Sequence, residues 1–136
     1  MALSLGPGLD AAIRAHGVET YPNECCGALI GRDGLVTATY ALPNTTEEGP
    51  RRRFLVRPSD YRDAEKRASE AGGDLLGFYH SHPDHPARPS ETDRQYGWPF
   101  YSYVIVSIAK RDPVDMTSWV LDEQTETFSR QDIVER

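Results

Sequence analysis

Leu75-Leu76-Gly77-Phe78-Tyr79-His80-Ser81-His82, closed by Pro83 and preceded by Gly72-Gly73, is an apolar, aromatic run that reads as a buried β-strand. Strand side chains alternate between faces, so Phe78, His80 and His82 point one way and Tyr79 and Ser81 the other. The two histidines are then roughly 6.6 Å apart at their Cα atoms, two strand rises. At that separation both imidazoles can reach one ion with Zn–N bonds of about 2.0–2.1 Å. Beyond the proline-rich loop of residues 83–89, Asp93 offers an oxygen donor. Two histidines and one carboxylate leave a position for water, which is how catalytic zinc is held. Structural zinc is closed by four ligands, usually with cysteines among them.

Each of these residues also has a plainer explanation. A histidine taken alone is more often a satisfied structural residue than a ligand. Ser90-Glu91-Thr92-Asp93 fits the capping box that starts a helix. The two readings of that segment are compatible, because a helix start would hold Ser90 and Asp93 rigidly. A hydrolytic site also needs a base. His85 lies in the loop Pro83-Asp84-His85-Pro86-Ala87-Arg88-Pro89, where an imidazole is normally solvated. Glu24 opens the apolar run Cys25-Cys26-Gly27-Ala28-Leu29-Ile30-Gly31 and stands either at a strand end or in a site.

Outward from the histidine strand, the chain alternates helical and extended patterns. Leu9 and Ile13 predict a short first helix from Leu9 to His16, ending near Gly17. Runs 26–30 and 35–40 flank Arg32-Asp33-Gly34, and Asp-Gly is the strongest short hairpin signal. A polar loop carries Glu47-Glu48 and Arg51-Arg52-Arg53, followed by a short strand at Phe54-Leu55-Val56. Pro58-Ser59-Asp60 starts a helix that runs to about Ala71 and stops at Gly72-Gly73. Strands are expected over 101–108 and 117–121, with an edge strand at 126–129. The pattern predicts one α/β (α+β) domain over residues 1–136, a mixed β-sheet flanked by two to three helices.

At 136 residues the chain is long enough to bury roughly two-thirds of its unfolded surface without staples. Its 38% hydrophobic and 26% charged content is that of a globular domain. No apolar run approaches the roughly 18–20 residues of a membrane span, and Met1-Ala2-Leu3-Ser4-Leu5-Gly6-Pro7 lacks the features of a signal peptide. A cytoplasmic location and no membrane partner are expected. The net charge of −6 argues against a nucleic-acid partner, which calls for a basic face. Cys25 and Cys26 are adjacent, a poor geometry for a disulfide, and read as buried reduced thiols on opposite faces of a strand. Arg51-Arg52-Arg53 reads as a solvated loop or, alternatively, as a docking patch for an acidic partner. Trp98, Phe100, Tyr101 and Tyr103 read mainly as core, with Trp98 a candidate groove residue.

Glu24 in a Pro-x-Glu-x-Cys-Gly-x-Leu-x-Gly setting, then His80-x-His82, seven residues that begin with Pro83, Ser90, two residues and Asp93, resembles the JAMM (MPN-plus) metalloproteases. The resemblance runs from the helix near Leu9 to the strand near Trp119, and every signature position is filled. It implies a JAB/MPN-like, cytidine-deaminase-like architecture. It implies one zinc ion per chain held by His80, His82 and Asp93, with Glu24 as general base and Ser90 hydrogen-bonding the tetrahedral oxyanion. It also implies cleavage after the C-terminal Gly-Gly of a ubiquitin-like protein. Only residues 94–100 separate Asp93 from the next strand, too few for the second insertion of eukaryotic deubiquitinases. A compact enzyme of prokaryotic type acting on ubiquitin-like sulfur-carrier proteins fits better. It would release an amino acid such as cysteine, trim a C-terminal extension or cut an isopeptide bond. The alternatives are a non-catalytic MPN scaffold that binds a partner and a non-haem iron oxygenase, since two histidines and a carboxylate also form that metal's facial triad.

Overall fold

The computed structural model describes residues 2–43 and 58–136. The expected strand at 54–56, Glu47-Glu48 and the Arg51–Arg53 run lie outside the described residues. Among the described residues three helices and seven strands follow in the order β1 (Ala2–Leu5), α1 (Leu9–Thr20), β2 (Cys26–Arg32), β3 (Leu35–Leu42), α2 (Pro58–Glu70), β4 (Asp74–Pro83), α3 (Glu91–Tyr96), β5 (Ser102–Ala109), β6 (Asp112–Leu121) and β7 (Phe128–Glu135). The mixed sheet and its helices agree with the sequence-based expectation. The sheet runs β1-β3-β2-β4-β5-β6-β7 and closes on itself, because β1 pairs in parallel with both β3 and β7. The β4–β5 pair is also parallel, and the remaining neighbours are antiparallel.

Closure corrects one expectation. The last strand runs over Phe128–Glu135 rather than 126–129, and it is not an edge, being bonded to β6 on one side and β1 on the other. The pairing that makes Ala2–Leu5 a strand comes from two distant segments, residues 34–36 and 132–136. A four-residue segment cannot announce such distant partners.

Two turns show why one hairpin was legible and the other was not. Asp33 and Gly34 both have positive φ (52° and 76°), the geometry of a type I′ turn, which Asp-Gly favours. Lys110 and Arg111 adopt the same left-handed conformations (48° and 75°) between β5 and β6 without a glycine. Part of the compensation is a hydrogen bond, in which the Lys110 N–H donates to Asp84 Oδ1 at 2.8 Å. As a result β6 starts at Asp112, five residues before the predicted start at 117.

The first helix also overruns its prediction, continuing through Gly17 to Thr20. Glycine is there for contact rather than termination: a Cβ at position 17 would lie 2.9 Å from Ile108 Cδ1 and 3.4 Å from Ser81 Cβ. Bare backbone lets α1 sit close on the sheet. The second helix behaves as read. Pro58 occupies its first position, where a missing N–H costs nothing, and Gly72 (φ 73°) ends it. The Gly73 N–H closes the last turn on the Ala68 carbonyl at 2.9 Å.

The two faces of the sheet carry separate cores. Leu3, Leu5, Ile13, Cys25, Leu29, Val36, Tyr79, Val104, Val106 and Ile108 pack together with α1. Cys26, Ala28, Leu42, Ala64, Phe78 and Tyr103 pack on the opposite face with α2. Phe78 is fully buried, and burying such a side chain contributes about 1.5–3 kcal/mol. The alternation read along residues 75–82 is therefore present, with Tyr79 on the α1 side and Phe78 on the other. Cys25 and Cys26 divide between the two cores in the same way, as an alternating strand requires.

Candidate metal centre and active site

The sheet register brings the glutamate and the histidines together. Cys26 pairs with His80 in the antiparallel β2–β4 ladder. One step on, the Ser81 N–H donates to the Cys25 carbonyl at 3.2 Å, and the Cys25 N–H donates to Ser81 Oγ at 2.8 Å. Another step brings Glu24 opposite His82, with the parity that turns it to the same face as Cys26, His80 and His82. One donor atom each of Glu24, His80 and His82 lies within 4.8 Å of the others, and all three residues are buried.

Asp93 reaches the same point from α3. Its Oδ1 lies 3.2 Å from His80 Nε2 and its Oδ2 lies 3.2 Å from His82 Nε2, while the two Nε2 atoms are 3.1 Å apart. Ser90 sets this placement. Its hydroxyl accepts from the Asp93 N–H at 3.0 Å, and Asp93 Oδ2 accepts from the Ser90 N–H at 2.8 Å, a reciprocal capping box at the start of α3. The capping reading of Ser90 is thus realised. Accepting a bond through its oxygen leaves the hydroxyl proton available to donate elsewhere.

Two imidazole nitrogens and a carboxylate meeting this closely favour a positive charge among them. The charges show the same preference. Burial works against ionised Asp93, yet the charges of and hydrogen bonds to His80 and His82 hold it well below the usual carboxylate range. Burial pushes His80 below the ordinary histidine value. His82 is opposed by burial as well, but its Asp93 partner, the Pro86 carbonyl and the Glu24 charge carry it above that value. A tetrahedral ion with bonds of 2.0–2.1 Å separates its ligand atoms by about 3.3 Å, so the 3.1–3.2 Å spacing of His80, His82 and Asp93 suits a small divalent metal. His82 is prepared for it in a further respect: its Nδ1 lies 2.9 Å from the Pro86 carbonyl, which accepts a proton there and leaves Nε2 to face the other donors.

Glu24, only 7% exposed, is pushed up to about 8 by burial, with His82 lowering it and Asp93 raising it further. A carboxylate in this setting is a candidate proton carrier. His85, the other base considered, is exposed, and its backbone carbonyl rather than its position at the site is what the fold uses. The aromatic cluster divides: Tyr103 is buried and its hydroxyl accepts from the Trp98 N–H at 2.8 Å, whereas Trp98 and Phe100 are 45% and 67% exposed. What sequence reasoning missed is a set of hydroxyls on β5 and β6, Ser107 and Thr117, that bind carbonyls of the loop next to His82. Single Ser and Thr residues in strands carry no spacing signal.

A closed mixed sheet with α1 on one face, and with a histidine pair, a carboxylate and a buried glutamate on the other, is the architecture of a JAB-type domain. Residues 8–122 match the family described as prokaryotic homologs of the JAB domain, and the chain belongs to that family. It is 37% identical over 112 residues to the desampylase of Haloferax volcanii, covering 77% of this chain and 80% of that one. It is 30% identical over 103 residues to the CysO-cysteine peptidase of Mycobacterium tuberculosis, covering 75% and 69% of the two chains. A protein from Salinibacter ruber, solved in solution, superposes with a TM-score of 0.77 at 41% identity, over 98% of this chain and 92% of that one. Among the described residues no helix is long and apolar enough to cross a membrane.

Proposed function

We propose that this protein is a zinc-dependent peptidase or isopeptidase that cuts the bond following the C-terminal Gly-Gly of a ubiquitin-like sulfur-carrier protein. The observation that carries the reading is the convergence of His80, His82 and Asp93 at 3.1–3.2 Å beside buried Glu24. His80, His82 and Asp93 would hold the ion. When bound, zinc supplies a Lewis acid and a double positive charge that favour ionised forms of water and of nearby carboxyls. Glu24 takes a proton from the attacking water and passes it to the leaving amine, a role open to a buried carboxyl beside the two histidines. Ser90 donates its hydroxyl proton to the oxyanion of the scissile carbonyl, while its oxygen keeps the capping bond to Asp93.

The substrate class is supported by the relatives, one named a desampylase and the other a peptidase of a CysO–cysteine bond. It is also supported by the sheet. Although the ring closes through β1, that strand pairs only with Leu35 and Val36 of β3. Among the described residues, no strand covers the outer side of β3 from Thr37 to Leu42. Leu42 shares a row with Cys26 and His80, so an extended tail laid along this stretch would run toward the metal ligands.

The test incubates the protein with a ubiquitin-like carrier extended beyond its Gly-Gly, with and without chelator, and identifies the products by mass spectrometry. A chelator-sensitive cut after glycine is expected. Intact carrier in both arms would favour the partner-binding scaffold, and iron with oxygen-dependent turnover would favour an oxygenase.

A further inference from the structure

Between β4 and α3, residues 84–89 fold back over the face of the sheet that carries the histidines. Three successive backbone carbonyls in this loop are each held by a different side chain. The His85 carbonyl accepts from Ser107 Oγ at 2.5 Å, the Pro86 carbonyl from His82 Nδ1 at 2.9 Å and the Ala87 carbonyl from Thr117 Oγ1 at 2.6 Å. Thr117 Oγ1 accepts in turn from Trp119 Nε1 at 2.7 Å. An indole nitrogen can only donate, so the threonine proton is directed at Ala87.

Sheet register explains why these side chains meet one loop. His82 pairs with Ser107, while Ile105 pairs with Thr117 and Tyr103 with Trp119. Alternation then places Ser107, Thr117 and Trp119 on the same face as His82. The loop itself is short of donors, since Pro83, Pro86 and Pro89 lack N–H groups. Its anchorage comes from the sheet, from Asp84, which accepts from the Tyr21 hydroxyl and the Lys110 N–H, and from its own buried Ala87.

We infer that Ser107, Thr117 and Trp119 are positioning residues for the metal ligand His82. Two of them hold the carbonyls on either side of Pro86, and the third orients Thr117. Together they place the acceptor that keeps the His82 proton on Nδ1 and its lone pair on Nε2. This deepens the zinc reading above and rests on it. Groups that hydrogen-bond a metal ligand directly typically change metal affinity about 10–100-fold when removed; Ser107 and Thr117 act one step further out, through the loop that carries the Pro86 carbonyl.

The experiment measures zinc affinity of the full chain by competition with a chromophoric chelator. Thr117→Val keeps the shape and deletes the hydroxyl, Ser107→Ala deletes the other hydroxyl, and Thr117→Ser restores the first. Affinity should fall about 10-fold, the lower end of the direct-partner range, in the two deletions, and Thr117→Ser should return it close to wild type. Wild-type affinity in both deletions would overturn the inference, as would a Thr117→Ser variant no better than Thr117→Val. Circular dichroism of the chelated proteins checks folding, and if Thr117→Val is unfolded, Ser107→Ala decides by the same criterion. His82→Ala separates the two levels of argument. If it loses zinc while the hydroxyl deletions do not, only the positioning role fails; if it too retains zinc, the metal reading fails.

Discussion

Ser90 combines a structural and a proposed chemical role, Glu24 carries a proposed chemical role alone, and substitution tests both. Glu24 is buried beside the metal ligands, and its carboxyl is held at about 8 by that burial. Glu24→Gln keeps the size and removes the proton-transfer group. Zinc content by elemental analysis should be unchanged, while turnover falls about 10²–10⁴-fold; wild-type turnover in the zinc-loaded variant would remove Glu24 from the mechanism. Ser90→Ala removes both the cap of α3 and the proposed oxyanion donor. Loss of the cap should cost about 1 kcal/mol in urea denaturation, whereas loss of an oxyanion donor should lower kcat about 10²–10³-fold. Ser90→Asp supplies a capping oxygen without a hydroxyl proton. If that variant recovers both stability and kcat, Ser90 acts only as a cap. The histidine pair, Ser90 and Asp93 stand out in the sequence because their spacing around a strand and a helix start is local. The exception is the link between Glu24 and the histidines, more than fifty residues apart, which depends on the β2–β4 register.

At the scale of elements, the fold depends on places where backbones approach too closely for a side chain. A Cβ at Gly77 would lie 1.9 Å from the Ser102 carbonyl oxygen, where β4 and β5 begin their parallel pairing. Gly77→Ala therefore has to separate the strand that carries both histidines from its neighbour. Overpacking of this kind costs about 1–3 kcal/mol or more, and because the obstacle is backbone, the upper part of that range is expected. Thermal unfolding would measure it, and a wild-type midpoint would contradict the close approach. Gly17 differs in kind, because the group it meets is the end of the Ile108 side chain, which can rotate. These glycines also show what a linear reading loses. Gly17 resembled a helix stop, yet it is a contact point inside a helix that continues to Thr20. The Lys110-Arg111 turn carried no turn residue, because its left-handed backbone is supported by Asp84 from another part of the chain.

For the whole molecule, titration and assembly are the relevant quantities. Burial pushes Cys25 up to about 11 and Cys26 up to about 12, whereas thiols in an unfolded chain ionise near 8.5. Above that pH the unfolded state binds fewer protons than the native one, so stability is retained below about 8.5 and falls as pH rises toward the native values. The unfolding free energy from urea denaturation in chelator should decline between pH 8.5 and 10.5, by about 1–3 kcal/mol per pH unit for the two thiols together. A double Cys→Ala variant should show a flatter profile, and equal slopes would place the effect on other groups. The same burial makes both thiols slow to react with alkylating agents at neutral pH. By itself the sequence determined the alternation of the histidine strand, the capping box, the Asp-Gly hairpin and the second helix. Each is written in short-range periodicity or in a fixed local spacing. Only the tertiary structure decided that β1 closes the sheet, that the last strand has two neighbours, and that Ser107 and Thr117 hold the loop beside His82. Those outcomes depend on hydrogen bonds between segments far apart in the chain, whose register is selected by burial on both faces of the sheet.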